Sequence, residues 1–143
     1  MNSSDKQKIV DIMKQTSLFA FLATSDGDQP RVRPVTPIVE DDMSIWVATS
    51  AGSRKVKQIK QNPKISLAFV QHPNGDKAAT VVGEAEIIAD LEQKKRIWGL
   101  APYDLSQFFP KGPESEDYCV LKINVSKIEW WEDFESGMKT YEP

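Results

Sequence analysis

The hydrophobic and polar positions along the chain follow two different periods, and each period predicts its own kind of element. Between Asp5 and Gln15, the apolar residues Ile9, Ile12 and Met13 recur at helical spacing among charged residues, which is typical of an amphipathic surface helix. Short apolar runs bounded by turn residues follow, and such runs are typical of strands. The pattern predicts strands over residues 18–24, 29–40, 45–48, 64–70, 79–89, 118–125 and 128–132.

Two further helices are predicted between strands. Ser53 and Asp90 are expected to be their N-caps, because a short polar side chain can accept a hydrogen bond from a free N–H of the first turn. The first helix should end at Asn62-Pro63, since the residue before a proline is pushed out of the helical region, and the second should reach Leu100. Short turns between successive strands favour antiparallel pairing, so the expected fold is mainly β with flanking helices, a small antiparallel barrel.

Finer features of the pattern predict where the strands are irregular. Gly83 lies inside a predicted strand, which favours a β-bulge or a bend. The strand predicted over 29–40 contains three prolines, and because proline cannot donate to a ladder, part of it must be an edge or line a site. Ser126-Lys127 predicts a short turn, and the tail from Phe134 is expected to be loose.

Composition and charge narrow the possible function classes. The chain has 143 residues, a formal net charge of −3, 40% hydrophobic and 27% charged residues, which is ordinary for one soluble globular domain over 1–143. Without a basic field, neither nucleic acid nor a membrane surface is an expected partner. No apolar run approaches the roughly 20 residues that a membrane-spanning helix needs. The N-terminus shows no signal-peptide core. A cytoplasmic location is expected, because a chain with a single cysteine and no possible intrachain disulfide suits a reducing compartment.

The single cysteine and the single histidine exclude two kinds of site. With only Cys119 and His72, the chain can form neither an intrachain disulfide nor a zinc ligand set from these residue types. Cys119 lies in an apolar run and is expected to be a buried, inert thiol. His72 lies beside a proline in a predicted turn, which is typical of an exposed loop histidine.

The start of the helix after Ser53 contradicts a local rule. A helix N-terminus carries partial positive charge and favours Asp or Glu, but here its first turn holds Arg54 and Lys55. Val56 takes the position where a capping box would have Glu. Free N–H groups, a hydroxyl and two cations therefore converge on one small volume, which suits an anion such as phosphate. A solvated basic helix start remains the alternative from local chemistry alone, as a solvated strand face does for Arg31 and Arg33.

Several short motifs occur in a recognisable order. They are Arg33-Pro34-Val35, Ala48-Thr49, Gly52-Ser53-Arg54-Lys55-Val56, Asn62-Pro63, Ser66-Leu67 and Ile128-Glu129-Trp130-Trp131. This order resembles the FMN-binding split-barrel superfamily around pyridoxamine 5′-phosphate oxidase, with the Gly-Ser-Arg-Lys-Val block and its Asn-Pro stop as the specific part. The short chain and the loop over 109–113 before Asp117-Tyr118 are more similar to the general-stress-protein branch. The resemblance covers about residues 18–132 and implies a small antiparallel split β-barrel.

The resemblance also implies a cofactor, a partner and a set of site residues. It implies FMN, and a homodimer with two flavins at its interface. The phosphate would be held by Ser53, Arg54 and Lys55, and Arg33 would contact the phosphate or the ribityl chain. The strand Pro34-Val35-Thr36 would follow the flavin edge, and Trp131 would reach the flavin from the second subunit. Thr49 would hydrogen-bond the flavin or ribityl region, and Ala48 next to it is also implied to be a cofactor-binding position.

Two departures separate the chain from the oxidase itself. That enzyme holds its substrate phosphate with a lysine and with an Arg-x-His pair. In this chain, Ile38 occupies the position of the lysine, and residues 132–139 contain no Arg-x-His pair. Burial of a phosphate without such cations would cost several kcal/mol of binding free energy. We therefore expect a substrate other than pyridoxamine phosphate, and no catalytic residue is assigned. A flavin-dependent oxidoreductase, a flavin-binding or carrier protein without turnover linked to stress, and a different anionic cofactor such as a deazaflavin all stay open.

Overall fold

The computed structural model describes residues 3–143. Three helices are present in this part of the chain: α1 (Ser3–Thr16), α2 (Arg54–Gln61) and α3 (Leu91–Leu100). The first strands along the chain are β1 (Ala20–Asp26), β2 (Gln29–Val35), β3 (Ile38–Val39) and β4 (Ile45–Ser50). The later strands are β5 (Lys64–Val70), β6 (Ala78–Ile88), β7 (Tyr118–Trp131) and β8 (Lys139–Tyr141). Single 3₁₀ turns occupy Ser17–Phe19 and Leu105–Gln107.

All strand pairs are antiparallel and belong to one sheet with the order β2-β1-β5-β6-β7-β4-β3, in which β8 pairs with β7. The two edge strands of this path, β2 and β3, are consecutive in sequence. Only Thr36 and Pro37 separate them, so the Cα atoms of Val35 and Ile38 lie within about 11 Å of each other. The sheet therefore curls until its edges nearly meet, which confirms the predicted small antiparallel split barrel.

The barrel interior is filled by side chains. Helices α1 and α2 contribute Ile9, Met13, Val56 and Ile59, which pack with the inward positions of β1 and β4–β8. A second, smaller cluster lies on the opposite face of β4 and β7, where α3 and the following segment pack against Trp46. Because the interior is full, a ring-sized ligand can lie only outside the barrel wall.

Glu40 links α3 to strand β4. Its Oε1 accepts a hydrogen bond from Trp46 Nε1 at 2.7 Å, and its Oε2 accepts one from Arg96 Nη1 at 2.8 Å. The hydrogen bond from Arg96 is the main cause that lowers the pKa of Glu40 below its ordinary value. The guanidinium of Arg96 also lies over the Trp46 ring, 5.3 Å from its centroid. These contacts hold α3 against the sheet beside the second cluster.

The predicted strand over 29–40 is wrong as one element. It divides into β2 and β3 at Thr36-Pro37, because the chain leaves one edge of the sheet at this point and begins the other. The prolines had indicated an edge, and both pieces are edges. The predicted strand over 18–24 also begins later, at Ala20, because Ser17–Phe19 forms a 3₁₀ turn.

The C-terminal part also differs from the prediction. Strand β7 runs without a turn at Ser126-Lys127, because β6 pairs with it on both sides of this point. The register shifts between Val82 and Gly83, where Ser126 of β7 is passed over in the pairing. The predicted bulge at Gly83 is thereby confirmed, and a Cβ at this position would overlap the backbone oxygen of Asn124. The tail after Phe134 is not loose: β8 pairs with β7, and Tyr141 is buried in the core.

In the part of the chain that the structure describes, none of the helices has the length and apolar content needed to cross a membrane.

Candidate functional site

The start of α2 has unused hydrogen-bonding capacity. Ser53 occupies the N-cap position with an extended backbone, but its side chain makes no capping hydrogen bond, which differs from the prediction. Its hydroxyl oxygen is buried and has no partner among the described residues. The first turn of α2 contains no acidic residue. Both the hydroxyl and the first-turn N–H groups are therefore free to bind an anion.

Arg33 reaches towards this helix from the inward face of β2. Its Nη1 donates to the carbonyl oxygen of Leu22 at 3.2 Å and to Thr24 Oγ1 at 2.8 Å, and its Nη2 donates to Gln58 Oε1 at 2.9 Å. These bonds use three of the five N–H groups of a guanidinium. Burial lowers the pKa of Arg33, and the charge of Arg31 lowers it further. The charge is held in place without a carboxylate partner.

Gln58 is the residue that holds Arg33, and sequence reasoning missed it. Its side chain is buried, and its Oε1 also accepts a hydrogen bond from Thr24 Oγ1 at 2.5 Å. Arg33, Thr24 and Gln58 thus form a closed triangle between β2, β1 and α2. A signal existed in the sequence, because Gln58 lies one turn after Arg54 and Lys55, on the buried side of α2 with Ile59.

Lys55 is the second cation that turns inward. Its Nζ donates to Thr49 Oγ1 at 2.6 Å. Burial lowers the pKa of the Lys55 ammonium, and the nearby positive charge of Arg33 lowers it further. None of the ion pairs among residues 3–143 includes Arg33, Arg54 or Lys55. Two neighbouring, partly buried cations without an acid are electrostatically unfavourable until an anion joins them.

Arg54 is the predicted cation that does not turn inward with Arg33 and Lys55. Its side chain is exposed and lines a shallow groove with Asp26, Lys57 and Gln58. The helix start thus brings together Ser53, Lys55 and Arg33, while Arg54 lies at its outer side. The residues present fit a phosphate group, because they offer an orphaned hydroxyl, free N–H groups and uncompensated positive charge.

A cavity of about 810 Å³ lies next to the start of α2, where its lining residue Thr49 contacts Lys55, on the outer face of the barrel wall. Its barrel side is lined by Thr36, Ala48 and Thr49, which are three of the residues predicted to bind the cofactor. The segment after α3 forms the opposite wall, with Tyr103 and Phe109 among its residues. This volume lies within the range of small-molecule sites, which are mostly apolar with a few polar groups.

The wall that follows α3 is an irregular segment with several aromatic residues. Tyr103 Oη donates to the carbonyl oxygen of Thr36 at 3.2 Å, which ties this segment to the connection between β2 and β3. Burial raises the pKa of Tyr103, so this group stays a neutral donor. Leu105 and Phe109 pack into the second cluster beside Ile97. The aromatic residues therefore act both as core and as cavity wall.

Three predicted site residues lie apart from both the cavity lining and the start of α2 in this chain. Pro34 is exposed on the outward face of β2, and Val35 is partly buried against the barrel core. Trp131 is partly buried at the far end of β7, where its Nε1 donates to the carbonyl oxygen of Gly75 at 3.1 Å. Trp131 lines neither the cavity nor the groove at Arg54.

The remaining candidate residues have structural positions. Cys119 is buried, and burial raises the pKa of its thiol, as expected of an unreactive cysteine. His72 is exposed and contacts the Phe19 ring edge-on at a centroid distance of 5.3 Å. Over residues 3–143, no three His, Cys, Asp or Glu side chains form a group that could hold a metal ion.

Comparison with known proteins gives relatives of two kinds. General stress protein 26 of Bacillus subtilis (strain 168) is 32% identical over 131 residues, which cover 90% of this chain and 89% of the relative. The pyridoxine/pyridoxamine 5′-phosphate oxidase of Escherichia coli O1:K1 is 39% identical over 75 residues, which cover 52% of this chain and only 34% of the relative. The chain thus matches the first protein over nearly its full length and the second over part of it.

The fold and the family model agree with these relatives. A crystal structure from Clostridium acetobutylicum, described as a protein related to general stress protein 26, superimposes with a TM-score of 0.80 at 20% identity and covers 99% of this chain and 96% of that one. The family model described as pyridoxamine 5′-phosphate oxidase matches residues 6–132. The chain therefore belongs to the pyridoxamine 5′-phosphate oxidase family, in the branch of general stress protein 26.

Proposed function

We propose that this protein binds FMN at the start of α2 and acts as an oxidoreductase on a small molecule other than pyridoxamine phosphate. The observation that carries this proposal is the set of unsatisfied groups around Ser53: its hydroxyl has no partner, and Lys55 and Arg33 have no acid. A phosphate monoester satisfies all three. Membership of the pyridoxamine 5′-phosphate oxidase family supports FMN as its carrier.

The cavity suits the remainder of the cofactor and a substrate. Thr36, Ala48 and Thr49 line it, and the hydroxyl of Thr49 also accepts a hydrogen bond from Lys55 Nζ at the start of α2. A flavin with its phosphate at α2 would thus direct its ring towards this cavity. When bound, FMN supplies the electron-transfer chemistry. The residues of the chain bind the phosphate, orient the ring and exclude water from it.

A second copy of the chain is proposed to complete the site. The outward side of β1, β2 and the preceding turn exposes apolar side chains, with Leu18 61%, Phe19 60% and Val32 68% exposed. A contiguous apolar face of this kind is typical of an interface. Leu18 also lines the cavity, so a subunit packed on this face would cover the cavity as well. The partner subunit's Trp131 is the proposed cover of the flavin.

The substrate is proposed to differ from that of the oxidase. Ile38, at the position where the resemblance expects a lysine, is only 4% exposed and packs in the second cluster. After Trp131, the chain turns into β8, where Lys139 Nζ donates to Glu132 Oε1 at 3.1 Å instead of facing a substrate. These positions therefore offer no cation to a substrate phosphate. Incubation of the flavoprotein with pyridoxamine 5′-phosphate in air should form no appreciable pyridoxal phosphate.

The test of FMN binding removes the cations at the helix start. The double variant Arg54→Ala/Lys55→Ala should bind FMN at least about a hundredfold more weakly, because each of two charge-assisted hydrogen bonds contributes about 1.5–3 kcal/mol. Titration of flavin fluorescence quenching measures the affinity. Lys60→Ala/Lys64→Ala is the matched control, since both side chains are exposed and lie at the other end of α2. Equal FMN affinity of the helix-start variant and the wild type would contradict the proposal.

A second measurement separates turnover from binding alone. Flavin bound to the wild type should be reduced by a nicotinamide donor and reoxidised by an added acceptor, which the absorbance of the oxidised flavin reports. A flavin that stays oxidised with all donors would contradict the oxidoreductase part of the proposal and leave a flavin-binding carrier protein.

A further inference from the structure

We infer that the cavity beside β4 selects a neutral or cationic planar apolar molecule and rejects anions, with Asp104 and Asp117 as its specificity-determining residues. This inference rests on the proposed function, because it takes the cavity as the substrate side of the flavin site. It names the substrate class by charge and shape. The oxidase relative is named for a phosphorylated substrate, which is an anion, whereas this class of molecule carries no negative charge.

The lining of the cavity carries charge of one sign only. Leu18 and Phe108 are its strongly exposed apolar lining residues, while Leu105 and Phe109 line it from largely buried positions. Asp104 and Asp117 are the charged side chains among the described lining residues, and no Lys, Arg or His stands with them. An anionic ligand in this cavity would lose its hydration and meet two carboxylates, which is unfavourable in both respects.

Both carboxylates are fixed at the cavity by neutral donors. Asp117 Oδ1 accepts a hydrogen bond from Ser50 Oγ at 2.6 Å, and the backbone oxygen of Asp117 accepts from the Ala51 N–H at 2.7 Å. Asp104 Oδ1 accepts from both the backbone N–H and the hydroxyl of Ser106, at 3.0 and 2.5 Å. Since hydroxyl and amide donors carry no net charge, the negative charge of each aspartate remains uncompensated.

No described cation is paired with either aspartate, although Lys111 lines the adjoining groove with Asp117. Neither Asp104 nor Asp117 takes part in an ion pair among residues 3–143. The hydrogen bonds from Ser106 lower the pKa of Asp104, so this group is ionised at neutral pH. The nearest cation of the proposed cofactor site, Lys55, donates to the hydroxyl of the lining residue Thr49 at 2.6 Å, and it is paired with neither aspartate.

The combined site is therefore polarised. Its α2 end attracts an anion, while its outer cavity attracts a molecule without negative charge. Phe108 is 65% exposed at the cavity, and aromatic faces attract cations as well as planar apolar rings. A ligand with a flat ring and a neutral or positive substituent satisfies both the aromatic wall and the aspartates.

The test uses three naphthalene probes with the same ring and different charge: naphthalen-2-ylmethylamine, naphthalen-2-ylmethanol and 2-naphthoate. Each is titrated by fluorescence into the full-length protein, both FMN-free and FMN-loaded. The amine should bind about tenfold more tightly than the carboxylate at low salt, since each of the two exposed carboxylates contributes about threefold. This preference should shrink when salt is added.

Isosteric variants assign the preference to the two aspartates. Asp104→Asn and Asp117→Asn keep an oxygen acceptor for their serine donors, and each should reduce the preference for the amine by about threefold. Asp28→Asn is the matched control, because it removes the same charge from an exposed turn outside the cavity lining. Its preference should equal that of the wild type.

Other outcomes overturn the inference. Equal or tighter binding of 2-naphthoate would refute charge selection, and failure of all three probes to bind would refute an accessible apolar site. Loss of every probe upon FMN loading would show that the flavin fills the cavity and would refute a substrate site there. Absence of FMN binding refutes the proposed function instead, and the charge preference is still measured on the FMN-free protein.

Discussion

The triangle of Arg33, Thr24 and Gln58 permits a quantitative prediction. In the variant Gln58→Ala, Thr24 keeps a buried hydroxyl, 3% exposed, whose hydrogen loses its acceptor. An unsatisfied buried group of this kind destabilises the native state by about 1–3 kcal/mol. Arg33 Nη2 also loses its 2.9 Å hydrogen bond, although solvent can replace that partner in part. We expect the free energy of unfolding to fall by about 2 kcal/mol.

The same variant should also weaken FMN binding. Without Gln58, the guanidinium of Arg33 keeps its bonds to Leu22 and Thr24 but can rotate away from the helix start. A loss of about tenfold in FMN affinity is expected, equal to about 1.4 kcal/mol, because a looser charge must be ordered when the phosphate binds. For a domain of this size, the loss of stability should lower the Tm by about 4–8 °C.

Two measurements and two further variants test this reasoning. Urea unfolding of the FMN-free protein reports stability, and flavin fluorescence quenching reports affinity. Gln61→Ala, on the exposed side of the same helix, should change neither. Gln58→Glu should retain the acceptor and hold Arg33, but its charge should still weaken FMN binding. If Gln58→Ala has the stability and the FMN affinity of the wild type, the positioning role of Gln58 is refuted.

Three other predictions concern separate parts of the molecule. Hydrogen bonds from Arg96 and Trp46 hold the pKa of Glu40 below its ordinary value of 4.5, so its contribution to stability is present above that pH and is lost as the pH falls through the lower folded pKa. Urea unfolding at a series of acidic pH values should therefore show a smaller acid-induced loss of unfolding free energy in Glu40→Gln than in the wild type. Gly83→Ala should reduce the free energy of unfolding by about 1–3 kcal/mol, since its Cβ meets backbone, whereas Gly99→Ala in open space on α3 should raise it by about 0.5–1 kcal/mol. Trp131→Ala should bind FMN about tenfold more weakly, and sedimentation should show a dimer with one FMN per chain; a monomer with full FMN affinity would refute the shared site.

Features that depend on neighbouring residues could be predicted from the sequence. The helix stop at Asn62-Pro63, the cap at Asp90 and the bulge at Gly83 follow from the conformations that these residue types allow, and all three occur. The unusual cations of the α2 start are equally local, since the charge of a first turn can be read directly. The family resemblance, which also rested on short local motifs, was confirmed by the family model over residues 6–132.

Features that depend on strand partners could not be predicted. The chain over 29–40 is divided at Pro37 because its two halves are opposite edges of the curled sheet, and β7 runs through Ser126-Lys127 because β6 pairs beside it. The tail forms β8 for the same reason, since β7 provides free ladder positions and the core accepts Tyr141. Pairing between distant segments decides these elements, and turn propensity does not.

The candidate site also combines features that the sequence determines with features that only the tertiary structure determines. Sequence alone determined which residue types offer positive charge at Arg33, Arg54 and Lys55. Tertiary structure decided which of these charges are buried together, because Gln58 and Arg33 are 25 residues apart and meet only across the barrel end. It also decided that the aromatic segment after α3 walls a cavity against Thr36, 67 residues before Tyr103 in the chain. Such contacts arise from the closure of the sheet, which brings its two edges and the segment packed on them to one place.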